Sequence, residues 1–218
     1  MVASMSPPET FAEMWERLGN VPLNRIHMFP PPGTATVEDV ERLCNREPKS
    51  LCELIDGVLV EKATGHFKSR LEMRLAHLFG AFLDEHDLGI VTAANGPHRI
   101  HPDQIRLPDV AFIAYENIPA DADQNTAVPE WIPSLALEIL SESNTKAEMT
   151  RKLRDDFDAG VKLVRYVDPP TRSVRVYRSP ETFVTKSEHD ELAGEDVLPG
   201  FRVSIRDWFD RALRVRPN

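Results

Sequence analysis

Leu135-Ala-Leu-Glu138-Ile-Leu140 constrains this chain more than any other stretch. Its apolar residues do not alternate with polar ones, the pattern of a central strand covered on both faces. A carboxylate set into such a run is costly unless a cation, a proton or hydrogen bonds compensate it. One loop earlier, Pro108-Asp109-Val-Ala-Phe-Ile113 reads as a second short apolar strand with a carboxylate at its entry. Proline suits that first position, where its missing N–H costs little. A helical segment after Glu138 carries Lys152. Asp109, Glu138 and Lys152 are therefore candidate site residues, and Glu53 is a fourth.

Glu53 lies in Leu51-Cys-Glu-Leu-Ile-Asp56-Gly57-Val-Leu-Val-Glu-Lys62, where Asp-Gly between two apolar runs predicts a tight β-hairpin. Alternation puts Glu53 and Ile55 on one face and Cys52 and Leu54 on the other. A cross-strand pair with Lys62 explains Glu53 as well as a site role does. From Gly65 to His86 apolar residues recur at helical spacing (Phe67, Leu71, Leu75, Leu78, Phe79, Phe82, Leu83), with Lys68, Arg70, Glu72, Arg74 and Asp84 on the other side. His66 in its first turn is an auxiliary candidate, set against the common case of an exposed histidine at a helix start. Thr145 and Glu148 form a capping box that opens the Lys152 helix, and Gly160 closes it. Lys152 falls beside the Met149, Leu153 and Phe157 stripe, where it either serves the site or snorkels. His98 and His101, three apart in a strand, point to opposite faces and do not share a metal.

Before the hairpin, residues 8–19 read as a short amphipathic helix, Pro30-Pro-Pro-Gly33 as a surface arm, and Thr36–Leu43 as a second helix. The division expected is an N-terminal helix and proline-rich arm at 1–35 and a main domain at 36–218. Strands follow at 89–94, 98–101, 110–114, 135–140, 161–168, 173–177 and 182–185, and a last helix runs from Ile205 to Leu213. The order predicts an α/β fold with a mixed sheet flanked by helices.

The net charge of −9 argues against a general nucleic-acid coat. The charge is uneven: residues 145–178 hold nine Lys/Arg against five Asp/Glu, a balance of +4 that leaves −13 to the remainder. Such a segment serves a phosphate-bearing ligand or is simply a solvated face. Two cysteines, Cys44 and Cys52, make no disulfide scaffold or zinc spacing. No apolar run approaches the length of a membrane span, and the first residues lack a basic-then-apolar leader, so the cytoplasm is the expected compartment.

Cys52-Glu-Leu-Ile-Asp-Gly57, Leu107-Pro-Asp109-Val, Glu138-Ile-Leu-Ser141-x-Ser143, Lys152, Ala159-Gly-Val and Tyr166-Val-Asp-Pro169, in that order, resemble the Uma-two family of the PD-(D/E)xK superfamily. The resemblance covers about residues 36–213 and implies a restriction-endonuclease-like core behind an N-terminal helical extension. It implies a metal-dependent endonuclease acting on DNA phosphodiesters, with RNA open on the same residues. Asp109 matches the aspartate of the "PD" element and Glu138 the acid of the "(D/E)xK" element, and both would bind Mg²⁺ or Mn²⁺. Lys152 matches a lysine that has migrated to the next helix, since Leu140 stands two positions after the acid. Glu53 matches the glutamate of the first strand and His66 a histidine at the start of the long helix. Glu142 stands where the family usually has proline, and Arg165-Tyr166 where it tends to have an aromatic pair. A homodimer is expected, with the N-terminal arm as contact, along with a protein partner for recruitment. The competing reading is a non-enzymatic binding or assembly module that keeps the fold and the acid cluster.

Overall fold

The computed structural model describes residues 10–46 and 50–214. Helix α1 (Phe11–Arg17) and a 3-10 turn at Leu23–Arg25 precede α2 (Val37–Asn45). The hairpin follows as β1 (Cys52–Ile55) and β2 (Val58–Glu61), then α3 (His66–Glu85), β3 (Gly89–Ala93), β4 (His98–His101), β5 (Gln104–Arg106) and β6 (Val110–Ala114). After a 3-10 turn at Tyr115–Asn117 come β7 (Leu135–Ile139), α4 (Lys146–Ala159), β8 (Leu163–Asp168), β9 (Ser173–Ser179) and β10 (Thr182–Lys186). A small pair, β11 (Glu191–Ala193) with β12 (Arg202–Ser204), leads into α5 (Ile205–Leu213).

The mixed sheet expected from sequence is six-stranded, in the order β10-β9-β8-β7-β6-β3. Only β7 and β8 run parallel, joined by α4 as a crossover. A second, antiparallel sheet, β2-β1-β5-β4, stands apart from it. Strands β5, β11 and β12 are absent from the sequence expectation. Each has three residues, too few to show a period of two.

Strand β7 is buried along its whole length, as its unbroken apolar run requires. Leu135, Leu137 and Ile139 face α3 and α5, in a core with Leu71, Leu75, Phe79 and Trp208. Ala136 faces α4 with Met149 and Leu153, and Glu138 shares that side by alternation. The hairpin likewise separates two clusters, Cys52 and Leu54 toward α2 and Ile55 toward α1.

One element of the α3 stripe is corrected. Phe67 is 48% exposed, whereas Lys68 is buried. Both positions lie at helical spacing from Leu71, and the Asp109 carboxylate described below draws Lys68 inward. His98 and His101 keep separate company, as their alternation requires: His98 bonds Thr92 and the Trp131 carbonyl, and His101 bonds Asp103.

The segment before α2 lies on the hairpin, with Met14, Leu18, Val21 and Ile26 against Ile55, Val58 and Val60. Arg25 forks onto Glu148 at 2.8 and 3.1 Å, and Arg151 donates to the Arg17 carbonyl and to Asp56. At Gly19 (φ +80°) the chain crosses the first turn of α4 so closely that a Cβ would lie 2.4 Å from the Glu148 backbone. Gly19→Ala should therefore lower stability by about 2 kcal/mol or more, read as the midpoint of thermal unfolding. An unchanged midpoint would contradict this docking.

Candidate active site

Three parts of the chain deliver the site. Pairing of Val110 with Leu137 sets Asp109 across from Glu138 at the end of the β6–β7 ladder, and Asp109 N–H donates to the Leu137 carbonyl. Helix α4, capped by the Thr145–Glu148 box, crosses above β7 and lowers Lys152 onto it. The small sheet brings Glu53 from β1 and Arg106 from β5.

Lys152 Nζ stands between two carboxylates, 2.6 Å from Glu53 Oε1 and 2.5 Å from Glu138 Oε1. Glu53 also takes Arg106 Nη1 at 2.8 Å and the Leu107 N–H at 3.0 Å, and Arg106 continues to Asp155. The cross-strand Glu53–Lys62 pair considered from sequence does not form. Val60 is opposite Glu53, and Lys62 turns to Asp109. Asp109 is fully buried, with Lys62 2.8 Å from Oδ1, Lys68 2.9 Å from Oδ2 and the Ile139 N–H donating to Oδ2 at 2.7 Å. Asp109 Oδ1 and Glu138 Oε1 are each held by a lysine ammonium, at 2.8 and 2.5 Å. Neither oxygen has a further donor among the described residues.

These surroundings set the protonation states. Burial works to raise the Glu53 carboxyl, but Lys152, Arg106 and the Leu107 N–H hold it well below its usual range. Asp109 is likewise held down against burial by Lys62, Lys68 and the Ile139 N–H. Glu138 goes the other way: burial raises it, Lys152 opposes and the Asp109 charge adds to the rise. Burial pushes Lys152 down, yet Glu138 and Glu53 outweigh it and keep the ammonium charged.

Of the four residues singled out from sequence, Glu53, Glu138 and Lys152 thus share one buried ion-paired group, and Asp109, paired with Lys62 and Lys68, lies across the strand register from Glu138. His66 does not join them. Its side chain is exposed, and Lys68, two residues on, makes the contact to Asp109 instead. Sequence reasoning missed Lys62, Lys68, Arg106 and Asp156. Asp156 was the most readable of these, four residues after Lys152 and so on the same helix face. It is 4% exposed, its Oδ2 has no partner, and burial pushes it up to about 7.

The chain belongs to the Uma2 family. That family, described as "Putative restriction endonuclease", matches over residues 37–206 and is the Uma-two family of the sequence resemblance. The crystal structure of a putative nuclease belonging to DUF820 from Anabaena variabilis shares the fold, with a TM-score of 0.68 at 18% identity. It covers 82% of this chain and 99% of the other. No curated protein matches the chain significantly. The Uma2 match begins at α2, so the α1 segment that buries one side of the hairpin lies outside it.

Asp156 yields a pH test. A carboxyl at 3.8 when unfolded and about 7 when folded binds more protons in the native state between those values. Stability therefore falls as pH rises from about 4 to 7, by up to a few kcal/mol. Asp156→Asn should remove that decline in denaturant unfolding at pH 5 and pH 8. An identical pH dependence in both proteins would contradict the assignment.

Proposed function

We propose that this Uma2 protein is a metal-dependent endonuclease that hydrolyses phosphodiester bonds in nucleic acid, DNA first among them. The observation that carries the reading is the Lys152 ammonium held between Glu53 and Glu138, with Asp109 across from Glu138. Family membership supports the reading at the level of a nuclease fold.

The donor set suits a hard divalent ion. Asp109 and Glu138 are buried carboxylates, each with one oxygen held by a lysine ammonium alone, and the raised Glu138 carboxyl marks an electrostatic deficit that a cation relieves. Among the described residues no three His, Cys, Asp or Glu side chains form a ready metal cage. Main-chain carbonyl oxygen and water would therefore complete the coordination of Mg²⁺ or Mn²⁺. The bound ion would supply Lewis acidity toward the phosphodiester.

The remaining work falls to the chain. Lys152, kept charged by its two carboxylates, is suited to orienting water and offsetting negative charge at phosphorus, not to removing a proton. Glu53, itself fixed by Arg106 and the Leu107 N–H, positions Lys152. The water oxygen bonds to phosphorus, the P–O ester bond breaks, and the proton the water loses passes to solvent while the departing oxygen takes one from it. RNA satisfies the same chemistry. A homodimer, a recruiting protein partner and a cytoplasmic location belong to this reading. Leu23, Met28 and Phe29 of the arm are exposed for such a contact. Among the described residues no helix is long and apolar enough to cross a membrane.

One observation favours the second reading, a binding or assembly module on the same fold. Glu53, Glu138, Lys152 and Arg106 are buried and paired with one another, Asp109 is buried against Lys62 and Lys68, and two surface depressions lie elsewhere, by Phe209 and by His189. Nicking of supercoiled plasmid and cleavage of single-stranded RNA in Mg²⁺ or Mn²⁺ separate the two. Glu138→Ala and Lys152→Ala should each lose about 100-fold or more of wild-type cutting. Equal background cutting by all three proteins would favour the module.

A further inference from the structure

The metal reading leaves Lys62 and Lys68 unexplained, and the two are not equivalent. Asp109 Oδ2 is occupied twice, by the Ile139 N–H at 2.7 Å and by Lys68 at 2.9 Å. Oδ1 is held by Lys62 at 2.8 Å and, among the described residues, by no second donor. It is therefore the Asp109 oxygen open to a cation, and Lys62 stands on it. Lys62 is also the more enclosed of the two, its side chain 4% exposed against 11% for Lys68. Its ammonium has a second anchor in the Leu107 carbonyl at 2.5 Å, two residues before Asp109 and closer than the Ala63 carbonyl that Lys68 reaches at 3.3 Å.

We propose that Lys62 is a latch on the metal position: its ammonium occupies Asp109 Oδ1, and a divalent ion binds there only by displacing it. This inference rests on the metal reading of the Asp109–Glu138 site. The physical basis is direct competition. An ammonium and a divalent ion cannot both contact one carboxylate oxygen without strong repulsion in a buried site. The Leu107 carbonyl lets Lys62 leave Asp109 without losing every acceptor. Lys68, on the oxygen that Ile139 also holds, can stay. The latch supplies charge compensation for a fully buried aspartate in the metal-free protein and weakens metal affinity in return.

Mn²⁺ binding by the full chain, measured by titration calorimetry and by the loss of the free-ion electron paramagnetic resonance signal, tests the latch without reference to activity. Lys62→Gln keeps a donor for the Leu107 carbonyl and removes the charge. It should bind Mn²⁺ roughly tenfold more tightly than wild type, or better. Lys62→Met should do the same if it retains the native thermal transition, and Lys68→Gln should change affinity much less. Unchanged or weaker binding by Lys62→Gln would overturn the latch while leaving the metal site intact. Equal tightening in the Lys62 and Lys68 variants would also overturn it, since that would reflect diffuse charge rather than displacement. No Mn²⁺ binding by any of the proteins at millimolar concentration would remove the metal reading and the latch together.

Discussion

The Lys152 ammonium, fixed between Glu53 and Glu138, ties three separately built parts of the chain to one point. Glu53 comes from the small antiparallel sheet, Glu138 from the centre of the large one, and Lys152 from the crossover helix between its two parallel strands. Burying ions in this way is not a route to high stability, since desolvation offsets most of the attraction. Removing one partner is another matter and typically costs about 3–5 kcal/mol, because the charge left behind is uncompensated. The cluster therefore acts as a specification: the two sheets and α4 must meet in one arrangement for every charge to find its counterpart.

The same balance sets the site's chemistry. Arg106 and Lys152 hold Glu53 ionised, so Glu53 is a fixed support. Lys152 remains charged and serves as a positioned cation. Glu138, buried beside the Asp109 charge, resists ionising, and its Oε1, like Asp109 Oδ1, has a lysine ammonium as its partner. In this chain lysines stand on both of those oxygens. A nuclease built this way would be closed and charge-balanced at rest, with metal entry coupled to the movement of a side chain.

Much of this arrangement was legible because burial is written into sequence period. An unbroken apolar run names β7 as a central strand, and a carboxylate inside it must have a partner. The stripe on α4 then places Lys152 on the facing side. Partners that come from short or irregular pieces left no such trace. Arg106 sits in a three-residue strand, and Lys62 extends just past the end of β2. Helical spacing admits either Phe67 or Lys68 on the inner face of α3, and only the distant Asp109 carboxylate decides between them. For His66 the resemblance pointed to the right turn of the right helix, and the side chain that reaches the site is Lys68. The docking of α1 on the hairpin was equally hidden, since a short amphipathic helix does not reveal which surface it covers.

The most direct test of the central claim is the anomalous difference map of crystals equilibrated with Mn²⁺. The account predicts one strong peak touching Asp109 Oδ1 and the Glu138 carboxylate, with Lys62 Nζ moved away from Asp109 and Lys152 still bound to Glu53. No peak at that place, or an ion bound elsewhere while Lys62 keeps its contact with Asp109, would contradict it.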